Sequence, residues 1–192
     1  MDLDQKRIAF DICPVNIVMN QLVAPLGIAY DLDGEIARSG IIIPGLYDKL
    51  NDLHYYHQVF PKSLSREWLE REFLPLILID HYQRNDLLRT IVEHIAFQIN
   101  QSIKVTGNHK ILVTGGGAHN KYLIERIRNY STINCVIPSD ELVDYKEGLI
   151  FALLGVLRWK GEINVINSVT GGKSDHCGGA VYNPFKSQFN FD

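Results

Sequence analysis

Residues 111–127 read ILVTGGGAHNKYLIERI, and this stretch decides the fold. The compact β-branched run at 110–114 predicts a buried strand. Gly115, Gly116 and Gly117 follow it directly, and Asn120 leads into a helix over 121–130. Glycine has no side chain, so a flat ring or a phosphate can approach the backbone there. The amino terminus of the following helix adds unpaired N–H groups and a dipole that favours anions. The spacing is neither GxGxxG nor GxxxxGK(S/T), so it supports neither a dinucleotide fingerprint nor a P-loop. A tight strand-to-helix turn by itself needs fewer than three glycines, which favours contact with a ligand.

Outward from this unit, strands alternate with helices. Residues 7–12 predict a buried strand that delivers Asp11 at its carboxyl end. Pro14 can open a helix at its first turn, and 16–23 continue with helical spacing. Residues 27–46, rich in Gly, Asp and small residues, read as loop. A helix is predicted over 66–73, opened by Ser65 and ended near Pro75. The clearest helix covers 86–103, where Leu88, Ile91, Ile95 and Ile99 make one apolar stripe and Gly107 closes it. Residues 133–137 predict a further strand. Residues 145–159 predict an apolar helix in which Gly148, Ala152 and Gly155 permit close packing. A Gly-rich loop at 168–179 precedes a last short strand at 180–182. The alternation implies an α/β layer with helices on its faces. It reads as one domain over 1–183 with a tail at 184–192, without internal repeats or a low-complexity linker.

Composition narrows the function classes. The 192 residues are 46% hydrophobic and 21% charged, with a net charge of -3. No basic block is present, which argues against nucleic-acid binding. Cys13, Cys135 and Cys177 are widely spaced and form no CxxC pair, so structural zinc is not expected and reduced thiols are. The opening MDLDQKRIAF carries acids and no long apolar run, so it does not read as a signal peptide. No stretch approaches the ~20 apolar residues of a membrane span. The cytoplasm is the expected location, with no membrane partner.

Two acids stand out beside the glycines. Asp11, at a strand end beside a helix start, has a place suited to a general base. A helix cap or turn former is the competing account, and spacing alone favours that one. Glu147, near the start of an apolar helix, suits the helix dipole; a role in a site requires its helix end to face the same cleft as Asp11. Asp31 and Asp33 in YDLDG suit a turn at least as well as an ion site. His54 and His57 lack an obvious third ligand for a metal. His81, His94 and His109 read as surface or capping groups, and Trp68 and Trp159 as packing residues.

Taken together the pieces resemble the anhydro-N-acetylmuramic acid kinases, members of the actin/hexokinase/Hsp70-like ATPase superfamily. The likeness rests on FDICPVN at 10–16, YDLDGEIARSG at 30–40 and PKSLSREW at 61–68. It continues through VTGGGAHNKYLIERI at 113–127, KEGLIFALLG at 146–155 and SVTGG at 168–172. The resemblance implies an RNase H-like α/β lobe, with a mixed sheet and flanking helices, from the carboxy-terminal half of such a kinase. It implies ATP and Mg²⁺, and cleavage of the 1,6-anhydro ring of an amino sugar with phosphorylation of O6, in cell-wall recycling. On this resemblance Asp11 matches the catalytic base. Asn16 and Glu147 match sugar-binding positions. Gly115, Gly116 and Gly117 match the adenosine side, with Asn120 nearby.

The departures are equally specific. The glycine-rich phosphate loop of the GTSxDG kind has no counterpart here, nor has the glycine-rich hairpin before the Asp11 stretch. Val15 stands where a small residue is usual, Ser65 replaces a glycine and Gly172 an alanine. Two expectations follow for partners: a missing amino-terminal half, or a second copy of the chain. A non-catalytic binding or interaction module derived from such a kinase is the alternative to an enzyme active only when completed. An unrelated nicotinamide-dependent enzyme is disfavoured by the glycine spacing.

Overall fold

The computed structural model describes residues 2–3, 6–78, 81–106, 110–130 and 134–182. In chain order the elements are β1 Asp2–Leu3, β2 Lys6–Arg7, α1 Asn16–Val23, α2 Glu35–Ser39 and α3 Pro44–Asn51. There follow α4 Arg66–Trp68, a π-type turn at Leu69–Phe73, α5 Leu74–Ile77, α6 Arg84–Thr106 and β3 Lys110–Leu112. The last are α7 Lys121–Asn129, β4 Asn134–Val136, α8 Asp140–Lys160 and α9 Asn167–Thr170. They form two compact units, Phe10–Lys146 and Met1–Ala9 with Glu147–Asp192.

The larger unit is organised by α6. Leu88, Ile91, Val92, Ile95 and Ala96 are fully buried along it, the outcome of the periodicity read from the sequence. Helices α1, α2, α3 and α7 pack on it. Burying a Leu or Ile side chain stabilises by roughly 1.5–3 kcal/mol, so this helix anchors the unit. Glu93 is buried in the same helix, and its Oε1 meets Arg89 Nε at 3.1 Å and Arg126 Nε at 2.7 Å. Two guanidiniums thus neutralise a carboxylate withdrawn from water and tie α6 to α7.

Strands β3 and β4 pair in parallel, Lys110 opposite Asn134, Ile111 opposite Cys135 and Leu112 opposite Val136. Parallel neighbours require a crossover. Helix α7 supplies it, burying Tyr122, Leu123, Ile124 and Ile127. The architecture is α/β. The predicted strand at 110–114 is shorter than expected and not buried throughout, since Leu112 is exposed.

Several expectations are corrected. Residues 8–15 do not form a strand: only Lys6–Arg7 does, antiparallel to Asp2–Leu3. A strand needs a partner along its length, and among the described residues no ladder runs through 8–15; Asp11 N–H donates to Lys62 O at 3.2 Å. The helical path opened at 66 does not stop at Pro75. The Leu74 N–H reaches back to Leu69 O, and this widened turn precedes the proline, which lacks an N–H to donate. The stretch 27–46 is no loop throughout, because Asp31 accepts from Ile36 N–H and Ala37 N–H, each at 2.9 Å, and so starts α2. Helix α8 begins at Asp140, not near 145. No strand forms over 180–182; instead Val165 bridges His176. Gly107, His109 and the tail at 184–192 lie outside the described residues.

Gly34 shows why the YDLDG turn needs glycine. Its φ is 76°, and an added Cβ would overlap the Asn120 amide oxygen and stand 2.6 Å from Tyr122 Cβ. Gly34→Ala is expected to destabilise the unit by about 2 kcal/mol, through left-handed strain and overpacking together. Urea titration checks this, and an unchanged midpoint contradicts the packing described.

The smaller unit is thinly packed. Ser168 Oγ donates to Arg7 O at 2.5 Å, and Asn164 Nδ2 donates to Leu154 O and Gly178 O. Among its described residues Ile8 alone is buried.

Candidate functional site

The larger unit carries a cavity of about 870 Å³ at the irregular stretch 10–15. Asp11, Val15, Leu64, Trp68, Leu74 and Ile99 are among its walls. Asp11 is held by the irregular segment 61–65, PKSLS. Its Oδ2 accepts from Ser63 Oγ at 2.9 Å and from Leu64 N–H at 2.8 Å. Tyr55 OH donates to the Asp11 carbonyl at 2.5 Å. One carboxylate oxygen is thus fixed by two donors, and Oδ1 has no hydrogen-bond partner among the described residues. Asp11 is neither a helix cap nor a turn former, the role that spacing alone favoured. It is a positioned, exposed carboxylate at a cavity wall.

Neighbouring groups are tuned by burial. The Cys13 thiol is pushed up to about 12, chiefly by burial and against the opposing charge of Lys62. It is therefore a neutral thiol near pH 7 and no nucleophile. Burial raises the Tyr55 phenol, with the Asp11 charge adding to it. Burial lowers the Lys62 ammonium, which lies 4.6 Å over the Tyr55 ring. Arg66 and Glu70 line the cavity as an ion pair at 2.8 Å.

The glycine turn reaches this place from the other side. Gly115 has φ 74°, and Gly116–His119 makes one tight turn before α7. A Cβ on Gly116 would stand 2.9 Å from Asn16 Nδ2, and one on Gly117 would stand 3.8 Å from Asn16 Oδ1 and 3.9 Å from Val15 Cγ1. The fold therefore brings together Asn16 and the glycines, which are a hundred residues apart in sequence. Val15 and Asn16 form the seam between turn and cavity.

Other predicted residues fall differently. Asn120 is buried, and its Oδ1 accepts from Leu123 N–H at 2.9 Å as the cap of α7. Asn120→Ala is expected to cost about 1–2 kcal/mol and Asn120→Ser to restore most of it, read as thermal midpoints. Equal losses in both variants contradict the cap. Glu147 belongs to the smaller unit, is exposed, and lies two turns into α8, so it is not a first-turn residue. The acids of that first turn are Asp140 and Glu141. Asp31 spends both oxygens on backbone N–H groups and Asp33 pairs with Lys121 at 2.8 Å, which settles the YDLDG motif as a turn.

His94 is no surface group. It is fully buried, with Nδ1 on Asn51 Oδ1 at 2.7 Å and Nε2 on Tyr56 OH at 2.9 Å. Trp68 packs 5.1 Å from Tyr55 while lining the cavity, and Trp159 is largely exposed. Ser63, Leu64 and Tyr55 were missed as partners of Asp11. The PKSLSREW motif marked the place, but nothing local paired it with residue 11.

Fold and site define a class: an α/β protein with a positioned carboxylate in an apolar-walled cavity, adjoining a strand–glycine–helix turn. A family profile described as Anhydro-N-acetylmuramic acid kinase matches residues 1–184. The chain belongs to that family. It is 32% identical to the anhydro-N-acetylmuramic acid kinase of Aliivibrio fischeri over 187 residues, covering 93% of this chain and 51% of the relative. The Francisella tularensis subsp. novicida protein of the same name is 34% identical over 176 residues, 86% of this chain and 46% of the relative. That of Streptomyces coelicolor is 32% identical over 182 residues, with 91% and 46% covered. The chain spans about half the length of these relatives. Among the described residues no helix is long and apolar enough to cross a membrane.

Proposed function

We propose that this chain is the carboxy-terminal part of an ATP-dependent sugar kinase that opens and 6-phosphorylates 1,6-anhydro-N-acetylmuramic acid in cytoplasmic cell-wall recycling, and that it is incomplete alone. The observation that carries this reading is the Asp11 carboxylate, pinned through Oδ2 at the cavity wall with Oδ1 left for a substrate proton. In this reading residues 1–183 form an RNase H-like lobe of the actin/hexokinase/Hsp70-like ATPase fold, followed by a tail.

Asp11 takes a proton from the water that attacks C1 of the sugar. The C1–O6 bond of the anhydro bridge breaks, and O6 then attacks the γ-phosphate of ATP, so that the O6–P bond forms as the bond from the γ-phosphorus to the β-phosphate oxygen breaks and ADP leaves. Positioning and charge neutralisation dominate such transfers. Asn16, beside the glycine turn and next to the cavity residue Val15, holds the sugar. Gly115, Gly116 and Gly117 offer bare backbone to the adenosine, and Asn120 acts by capping the helix that follows. The cavity's carboxylates are engaged, Asp11 through Oδ2 and Glu70 with Arg66, so a Mg²⁺ ion would be held mainly by nucleotide phosphates, as is usual for this ion. Bound there, Mg²⁺ supplies neutralisation of phosphate charge.

One observation favours a second reading, a binding module without turnover. Val15 lines the cavity beside Asp11 and approaches Gly117, where a smaller side chain would leave more room. Calorimetric titration of the chain with the anhydro sugar, and separately with ATP–Mg²⁺, tests both. The kinase reading expects binding of at least one by the chain alone, and turnover once the other half of the family protein is joined to it. Binding without turnover in the joined protein leaves the second reading, and no binding in either form removes both.

A further inference from the structure

Among its described residues the smaller unit buries Ile8 alone, and its apolar residues lie largely on α8. Leu149, Leu153 and Val156 recur at i, i+4 and i+7 and so share one helix face. They are 63%, 57% and 52% exposed, and Phe151 and Trp159 nearby are 71% and 67% exposed. Gly148 and Gly155, beside this stripe, face open space: an added Cβ would meet nothing within 4 Å at either. An apolar stripe flanked by bare glycines is the surface of a helix shaped to pack closely against another element. A unit of this size has no stability to spare for a large exposed apolar face.

We infer that this face of α8 is the seat of the half of the family protein that this chain does not match. The inference rests on the reading of the chain as part of a longer kinase. Three observations select that occupant. The chain spans about half of these relatives, and the half of each that it does not match is of domain size. The unit carrying the face is the one with a single buried apolar residue among its described positions, so it is the unit needing completion. The larger unit, by contrast, has its own continuous core running from Val18 to Cys135. The occupant therefore contributes the missing core of the smaller unit, with Leu149, Leu153 and Val156 as its floor.

The test is hydrogen exchange on the full chain alone and on the full chain joined to the unmatched half of the Aliivibrio fischeri relative, in that relative's own order. Amides over 149–159 are expected to exchange at least tenfold more slowly in the joined protein. The double variant Leu149→Glu, Leu153→Glu is expected to return them to the rate of the chain alone, while the amides of α6 stay protected. Unchanged exchange over 149–159 on joining overturns the inference. So does a chain that already sediments alone as a dimer with this segment protected, since the occupant is then a second copy. ATP turnover is measured separately: a protected but inactive joined protein sinks the kinase reading and keeps the docking surface, and the reverse result does the opposite.

Discussion

Asp11→Asn, in the chain joined to the other half of the family protein, is expected to slow phosphorylation of the anhydro sugar by roughly 100- to 10,000-fold, the usual contribution of a positioned base. The substitution is chosen for what it keeps. An amide oxygen still accepts from Ser63 Oγ and Leu64 N–H, the bonds of 2.9 Å and 2.8 Å that hold the side chain. The backbone bonds of residue 11 to Lys62 and Tyr55 are untouched. Geometry and fold are therefore preserved, and the lost property is the capacity to take up a proton. Sugar affinity should change by no more than a few fold, because binding needs position rather than basicity. Single-turnover measurements with saturating ATP read the chemical step. A variant that keeps its rate removes Asp11 as the base, whatever the other residues do.

The second large effect is on stability against pH, and it comes from His94. Burial pulls its imidazole from 6.5 down to about 3. The folded state holds it neutral, while the unfolded state protonates it as pH falls through about 6.5. Protons then favour the unfolded chain, so stability is complete above about pH 6.5 and declines toward about pH 3. At ~1.4 kcal/mol per pH unit, the loss across that window is roughly 4 kcal/mol. The contacts agree with this direction. With Nδ1 donating to Asn51 Oδ1, Nε2 accepts from the Tyr56 hydroxyl, and a proton on Nε2 obliges that hydroxyl to turn and accept instead. His94→Gln removes the titration, so its unfolding midpoint in urea should vary less between pH 7 and pH 4 than that of the unaltered protein. Parallel pH profiles for the two proteins would falsify this account of acid sensitivity.

The local signals of the sequence were sound where one short stretch determines its own conformation. The 86–103 periodicity became α6, because an apolar stripe of that length has one efficient way to be buried. The glycines at 115–117 became a turn with a left-handed first residue, and Asn120 became the cap of α7, because backbone freedom and side-chain capping act over a few residues. The alternation of strands and helices was enough to imply the α/β class, while the parallel pairing of β3 with β4 came from the structure. The order and spacing of the motifs were enough to point to the family.

What the sequence could not settle were meetings between distant segments. Residues 7–12 have the composition of a strand, yet pairing partners decide strands, and among the described residues no ladder runs through 8–15. Asp11 looked like a cap until Ser63 and Leu64 arrived to hold it, and the Asn16 amide met Gly116 across a hundred residues of chain. His94 looked like a surface group because a histidine in a helix carries no mark of what will cover it; Asn51 and Tyr56 do so in the fold. Composition and short-range pattern thus determined the elements and the family of this protein. Which carboxylate stands free at the cavity, and which helix face is left uncovered, only the tertiary structure decided, because burial and hydrogen-bond partners are properties of the packed chain and not of any segment of it.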